Sequence, residues 1–227
     1  MSLGIFYYLT PMTTRVCASF LVVFSALVEC RGQGTTQFHI NFDGQPPQPP
    51  GTSVFIQQYS ESGMWFRPIG ALGPGKGFSH RRGGGSLSPA PDNGTTYLAA
   101  ALGDSLLFSF TNGSLFGLSS VDLAEYSTVV PDATTVHFVG YHKDGSTVIA
   151  DLTTDGIIDG SGPLADFQTF NFGPEFSGLT RVEIPTYGWS LDNLIVSVPE
   201  PTSVSLVLLG GFVLWGLRPC RRVGKRG

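Results

Sequence analysis

The centre of this sequence predicts an all-β fold, a β-sandwich of jelly-roll type. Apolar and polar residues alternate in short runs, turn signals separate the runs, and no stretch sustains a 3.6-residue period. Composition agrees: 30 glycines and 16 prolines punctuate the chain, charged residues are only 13%, and hydrophobic residues reach 41%. That is too apolar for a disordered chain and suits many strands with many turns.

The elements follow in order. "TQFHINF" sets Phe38, Ile40 and Phe42 on one face against Gln37, His39 and Asn41, a half-buried strand. "SLLFSF" aligns Leu106, Phe108 and Phe110. "TTVHFVGY" sets Val136 and Phe138 opposite His137, Val139 and Tyr141. "DFQTFNF" and "LTRVEI" alternate in the same way, and "WSLDNLIVSV" closes the series. Between them stand the turn signals "TNGS", "KDGS" and "TYG". Roughly ten to twelve short strands at this spacing make a sandwich. Two loops interrupt the pattern. The proline-rich Asp43–Gly51 cannot occupy a central strand, and Gly73–Gly94 reads as a long flexible excursion. No internal repeat or second domain is evident, and residues 35–198 form the predicted domain.

Charge is distributed unevenly. Residues 35–198 hold 15 acidic and 6 basic side chains, a balance of −9. Such a domain repels phosphate backbones, so nucleic acid is not an expected partner. The basic residues gather instead at the C-terminus, at Arg218, Arg221, Arg222, Lys225 and Arg226. Cys17, Cys30 and Cys220 all lie outside residues 35–198, so the domain rests on its apolar core without a disulfide.

Both ends read as targeting segments. Arg15 precedes the apolar Val16–Val28, and small residues follow at Gly32 and Gly34, the pattern of a cleavable signal peptide over residues 1–34. Met12 offers an alternative start, and an N-terminal anchor is the alternative to cleavage. At the other end, the uncharged residues Thr202 to Leu217 would reach about 24 Å as a helix. With Trp215 and the arginines at the interfaces, that segment suits a single transmembrane helix with its basic end in the cytoplasm.

The order Pro199-Glu200-Pro201, short apolar span, basic tail resembles the PEP-CTERM sorting signal of exported bacterial proteins, here over residues 199–227. The resemblance implies recognition by an exosortase, a membrane cysteine protease, with processing near the motif. It also implies an exopolysaccharide-producing bacterium, with the protein held in the inner membrane before reaching the cell surface or extracellular matrix. The stretches "LFGLSSVDLAEYS", "VHFVGYHKDGSTV" and "SLDNLIVSVPEP" resemble the carbohydrate-binding-like jelly-roll ectodomains common among such proteins.

Candidate chemistry is sparse. If the first and last strands are neighbours, Asp43, Asp192 and Asn193 supply oxygen ligands for one structural Ca²⁺; the alternative is that each serves a local turn. "DLTTDGIIDGSG" places Asp151, Asp155 and Asp159 in an acidic segment, but Thr153 and Gly162 stand where a calcium loop needs ligands, so a solvated loop is favoured. His39, His80, His137 and His142 show no zinc-ligand spacing. No nucleophile elbow occurs and no carboxylates pair locally, so no catalytic residue is assigned. For polysaccharide binding the stacking candidates are Trp65, Tyr187 and Trp189, with Tyr59 and Tyr141. Lys76–Arg82 is the only basic segment outside the tail and is either an anion contact or a surface loop. A matrix or surface protein that binds exopolysaccharide without catalysis is expected; the alternatives are a secreted carbohydrate-active enzyme or a purely structural surface protein.

Overall fold

The computed structural model describes residues 35–44, 48–84, 90–101, 103–127, 132–157 and 166–199. The expected signal peptide, membrane span and basic tail lie outside them. Among the described residues no helix is long and apolar enough to cross a membrane.

The described residues are all-β, in two antiparallel sheets that form a sandwich. The strands are β1 Thr35–Ile40, β2 Thr52–Ile56, β3 Tyr59–Glu61, β4 Met64–Arg67, β5 Phe78–Arg82, β6 Thr96–Ala100 and β7 Leu106–Phe110. They continue as β8 Gly117–Glu125, β9 Thr135–His142, β10 Thr147–Thr153, β11 Gln168–Asn171, β12 Leu179–Ile184 and β13 Trp189–Pro199. One sheet runs β11-β8-β13-β6-β5-β2, with β1 also paired to β13; the other runs β10-β9-β12-β7-β4-β3.

The first strand does lie beside the last. β1 pairs antiparallel with β13, Thr35 opposite Pro199 and Ile40 opposite Leu194. Pro199 is the end of β13, where its missing N–H interrupts no further pairing.

Alternation sets which residues enter the core. Ile40, Phe42, Phe66, Leu98, Phe108, Val121, Phe138, Val182, Ile184 and Trp189 are all fully buried between the sheets. Phenylalanine rings join along the centre, Phe42 to Phe66 at 5.2 Å and Phe66 to Phe108 at 5.4 Å between centroids. Each such side chain contributes roughly 1.5–3 kcal/mol on burial. Residues 35–198 hold no cysteine, so this core stabilises them without a disulfide.

One expectation fails here. Gly73–Gly94 is not one long flexible excursion, because Phe78–Arg82 forms β5, hydrogen-bonded between β2 and β6. Phe78 and His80 alternate inward and are buried. The charges of "HRR" conceal a strand that obeys the same period-2 rule as the others.

The outer faces of the two sheets differ. On the seven-stranded sheet, residues 90–95 and 166–167 lie over the strands. Tyr97, Ala99, Ala124 and Phe167 form a second buried apolar cluster there, and the Tyr97 hydroxyl donates to the Pro91 carbonyl at 2.7 Å. On the six-stranded sheet, most outward side chains are half-buried or exposed.

Candidate functional site

That open face is built by alternation on four neighbouring strands. In β4, Met64 and Phe66 are buried, so Trp65 and Arg67 point out. In β9, Val136 and Phe138 are buried, which turns His137, Val139 and Tyr141 outward. In β12, Val182 and Ile184 are buried and Arg181 and Glu183 face solvent. β7 lies between β4 and β12 and adds Leu107 and Ser109.

Register arranges these side chains in rows. Trp65 stands opposite Ser109, and Arg181 opposite Tyr141. Arg67 stands opposite Leu107, Leu107 opposite Glu183, and Glu183 opposite Val139. Trp65 and Tyr141 are three strand spacings apart, about 14 Å.

Each of these two rings carries a guanidinium. Arg181 lies 3.7 Å from the centroid of Tyr141, and Arg67 lies 5.5 Å from that of Trp65. Arg181 Nε donates to Glu183 Oε1 at 3.0 Å, and the Tyr141 hydroxyl donates to Glu183 Oε2 at 2.9 Å. One carboxylate therefore fixes both members of the stacked pair. That hydrogen bond also raises the Tyr141 pKa, because it favours the protonated phenol. Arg67 forms no ion pair among the described residues and keeps N–H donors for a ligand. At the far side of the face His137 Nδ1 bonds to the Asp151 carboxylate across β9 and β10. The arrangement offers aromatic surface flanked by planar donors and carboxylate acceptors.

The expected stacking residues separate. Trp65 lies on this face. Tyr187 is 48% exposed in the turn before β13, beyond the end of the strands. Trp189 is a correction: it is 0% exposed, and its indole N–H donates to the Thr186 carbonyl at 2.8 Å. It begins β13 facing inward, so it packs the core and cannot meet a sugar. Tyr59 is also withdrawn, packed against Phe42, Phe66 and His80. Burial, followed by its bond to Glu61, raises its hydroxyl pKa. Arg67, Arg181 and Glu183 were not expected; the signal was present in "MWFR" and "LTRVEI", where they alternate with core residues.

The basic segment Lys76–Arg82 is corrected too. Arg81 is buried, stacked 4.5 Å from the Tyr126 centroid and donating to the Tyr126 carbonyl at 3.1 Å. Arg82 donates to the Gln48 carbonyl at 3.1 Å. Arg81 is therefore withdrawn from solvent, while Arg82 is half-buried. His80 bonds through Nε2 to the Phe42 carbonyl at 2.6 Å, and burial lowers its pKa.

The residues expected to hold Ca²⁺ are engaged with protein donors. Asp192 is 0% exposed; its Oδ2 accepts from Asn93 Nδ2 at 2.5 Å and from the Thr95 hydroxyl at 2.8 Å. Its Oδ1 accepts the Asn193 N–H at 2.7 Å. Asp43 Oδ1 accepts the Thr96 N–H at 3.2 Å, and Oδ2 accepts from Asn41 Nδ2 at 3.0 Å. Asp43 and Asp192 thus hold adjacent residues at the start of β6. Among the described residues no group of three or more His, Cys, Asp or Glu is placed to hold a metal ion. The "DNGTT" turn at Asp92–Thr96, which supplies the partners of Asp192, is the part of this network that sequence reasoning missed.

No protein-family model matches the chain, and no curated protein sequence does. Among solved structures it is similar to the family 11 carbohydrate-binding module from Clostridium thermocellum in complex with a β-1,3-1,4-mixed-linked tetrasaccharide. That match has 10% identity, covers 73% of this chain and 84% of that one, and has a TM-score of 0.26. A second similar structure is the family 11 carbohydrate-binding module of the cellulosomal cellulase Lic26A-Cel5E of Clostridium thermocellum. It has 10% identity, 74% and 96% coverage, and a TM-score of 0.27.

Proposed function

We propose that this β-sandwich is a jelly roll and a non-catalytic polysaccharide-binding module that takes its ligand on the outer face of the six-stranded sheet. The single observation that carries the reading is the contrast between the two outer faces. The centre of one is covered by residues 90–95 and 166–167. On the other, the described residues leave Trp65 and Tyr141 half-exposed with Arg67, Arg181 and Glu183 around them. Sugar rings stack on aromatic faces, and guanidinium and carboxylate groups suit their hydroxyls. The test is binding of the protein to a glycan panel by calorimetry, with Trp65→Ala and Tyr141→Ala beside it. Each substitution is expected to weaken binding at least tenfold while leaving the melting temperature within a few degrees. Binding that both variants retain, or its absence across the panel, removes the reading.

For the whole chain the proposal adds export and sorting. The signal-peptide pattern and the ordered PEP-CTERM-like tail support delivery to the cell surface or matrix by an exosortase. Pro199→Ala with Glu200→Ala is expected to leave an unprocessed, membrane-held form on an immunoblot of host fractions. Unchanged processing would remove the sorting reading and leave the binding one intact.

The enzyme alternative needs two carboxylates facing a cleft. Asp122 and Asp192 are close, but Asp192 reaches no solvent and so has no route to a substrate.

A further inference from the structure

Charge is not spread evenly over the outer face of the six-stranded sheet. Alternation turns Arg67 outward on β4, Arg181 and Glu183 on β12, His137 on β9 and Asp151 on β10. Arg181 is paired with Glu183 at 3.0 Å, and His137 with Asp151. In the turn beyond Tyr141, exposed Lys143 and Asp144 offset one another. Arg67 differs from all of these: among the described residues its guanidinium has no carboxylate partner, only the Trp65 ring, 5.5 Å from the centroid.

The seat of Arg67 is apolar. Trp65 lies two residues back on the same face, and the register partner across the ladder is the buried Leu107. A guanidinium is more weakly hydrated than an ammonium and keeps a rigid fork of N–H donors, so in such a seat it takes a carboxylate in two parallel hydrogen bonds. Glu183 comes next in the row after Leu107, two strand spacings from Arg67, about 10 Å. Its oxygens accept from Arg181 and Tyr141 instead. The two aromatic positions, about 14 Å apart, therefore differ in charge. The Trp65 end carries a cation without a counter-ion, and the Tyr141 end carries a carboxylate whose charge Arg181 balances.

We infer that the ligand is an acidic heteropolysaccharide, read at two unlike positions: a uronic acid stacks on Trp65 with its carboxylate on Arg67, and an uncharged sugar lies at Tyr141. The inference rests on the polysaccharide-binding reading above and adds the class of sugar and the residue that selects it. Arg67 without a ligand carboxylate keeps its charge unpaired, so a neutral sugar there loses the stronger, charge-assisted contact. At Tyr141 the same substituent meets the Glu183 carboxylate and is repelled. The whole domain sharpens this choice. Residues 35–198 have a balance of −9, which disfavours a chain bearing a carboxylate on every sugar. Carboxylates set apart by neutral sugars are screened from that charge beyond about 8–10 Å.

Calorimetry of the full-length protein with matched probes tests this. The probes are oligosaccharides of deacylated gellan, whose repeat sets a single glucuronate among neutral sugars; the same oligosaccharides with their carboxyl groups reduced to alcohols; alginate oligomers, which are uronate throughout; and a neutral mixed-linked β-glucan. The gellan oligosaccharides are expected to bind about tenfold more tightly, or better, than their reduced form and than alginate. In Arg67→Gln the preference for gellan over its reduced form is expected to shrink to about threefold or less. That preference is a ratio within one variant, so any loss common to both ligands cancels. The wild-type comparison of gellan with its reduced form needs no substitution at all. The inference is overturned if reduced gellan or alginate binds as tightly as gellan, if only the neutral β-glucan binds, or if Arg67→Gln keeps the wild-type ratio. In each of those cases binding that Trp65→Ala weakens leaves the polysaccharide-binding reading standing. Absence of binding to every probe removes both.

Discussion

Asp122 and Asp192 stand opposite one another on β8 and β13, and one residue, Asn193, bonds to both. Its backbone N–H donates to Asp192 Oδ1 at 2.7 Å, and its side-chain Nδ2 donates to Asp122 Oδ2 at 2.8 Å. Like charges directly opposite across a ladder destabilise it. The chain meets this with donors: Asn93 and Thr95 on Asp192, and Thr169 on Asp122 at 2.6 Å. Asn193 reaches both carboxylates because it bulges, with φ of 48° and a register shift between Asp192 and Ile195.

This pair predicts a pH dependence. Burial foremost, with the Asp122 charge adding to it, raises the Asp192 pKa to about 7 against its hydrogen bonds. The folded pKa therefore lies above the unfolded one. Asp192 favours folding fully below pH ~4, and that contribution declines as pH rises toward about 7 and then levels off. The total is about 4 kcal/mol, as an order of magnitude. Denaturant unfolding of wild type and Asp192→Asn from pH 4 to 8 measures it. The stability difference between the two is expected to change steadily across that range; a constant difference would show that Asp192 titrates normally.

How far the sequence reaches depends on what each residue needs. Period-2 alternation located Phe38–Phe42, Leu106–Phe110 and Val136–Phe138 because a strand's inward set is written in its own spacing. The same rule, applied through the charges of "FSHRR", would have found β5. Trp65 was legible as a candidate, whereas Trp189 was not separable from it by residue type. Only the inward start of β13 decides that its indole is core. Partners across the fold were the least legible. Nothing local in "DNGTT" says that Asn93 and Thr95 will hold a carboxylate 99 and 97 residues away. Nothing in "DLAEYS" says that Glu125 will be left with a bare oxygen, because that depends on where the turn after β10 comes to rest.

Gly77 tests the β2–β5 edge. A Cβ there would sit 2.3 Å from the Ile56 carbonyl oxygen and 2.6 Å from the Phe55 ring. The ring is 51% exposed and can swing away, but the carbonyl is backbone in the strand paired with β5 and cannot yield without shifting that pairing. Gly77→Ala is expected to cost roughly 1–3 kcal/mol, the range for overpacking. Gly73→Ala, whose Cβ meets nothing within 4 Å, is the control and should change stability by less than ~0.5 kcal/mol. Urea midpoints of the two variants give the comparison, and equal midpoints would mean that β2 is not seated on β5 as described.

Glu183 is the residue through which the open face is held in shape. Its two oxygens take the Arg181 Nε–H and the Tyr141 hydroxyl, so its removal frees both partners of the 3.7 Å stack at once. Because that hydrogen bond is the leading cause of the raised Tyr141 pKa, ultraviolet titration of the tyrosines reports directly on the contact. In wild type Tyr141 should ionise above the ordinary range near pH 10. Glu183→Leu, which keeps bulk and removes both acceptors, is expected to return that component to the ordinary range. Stability should fall by only ~0.5–1.5 kcal/mol, since the contact is partly exposed. Glycan affinity should drop with it, because the ring loses its fixed orientation although no stacking atom has been removed. A titration unchanged by the substitution would mean that Tyr141 is not held by Glu183 in solution, and the stacked pair would then lack the brace described here.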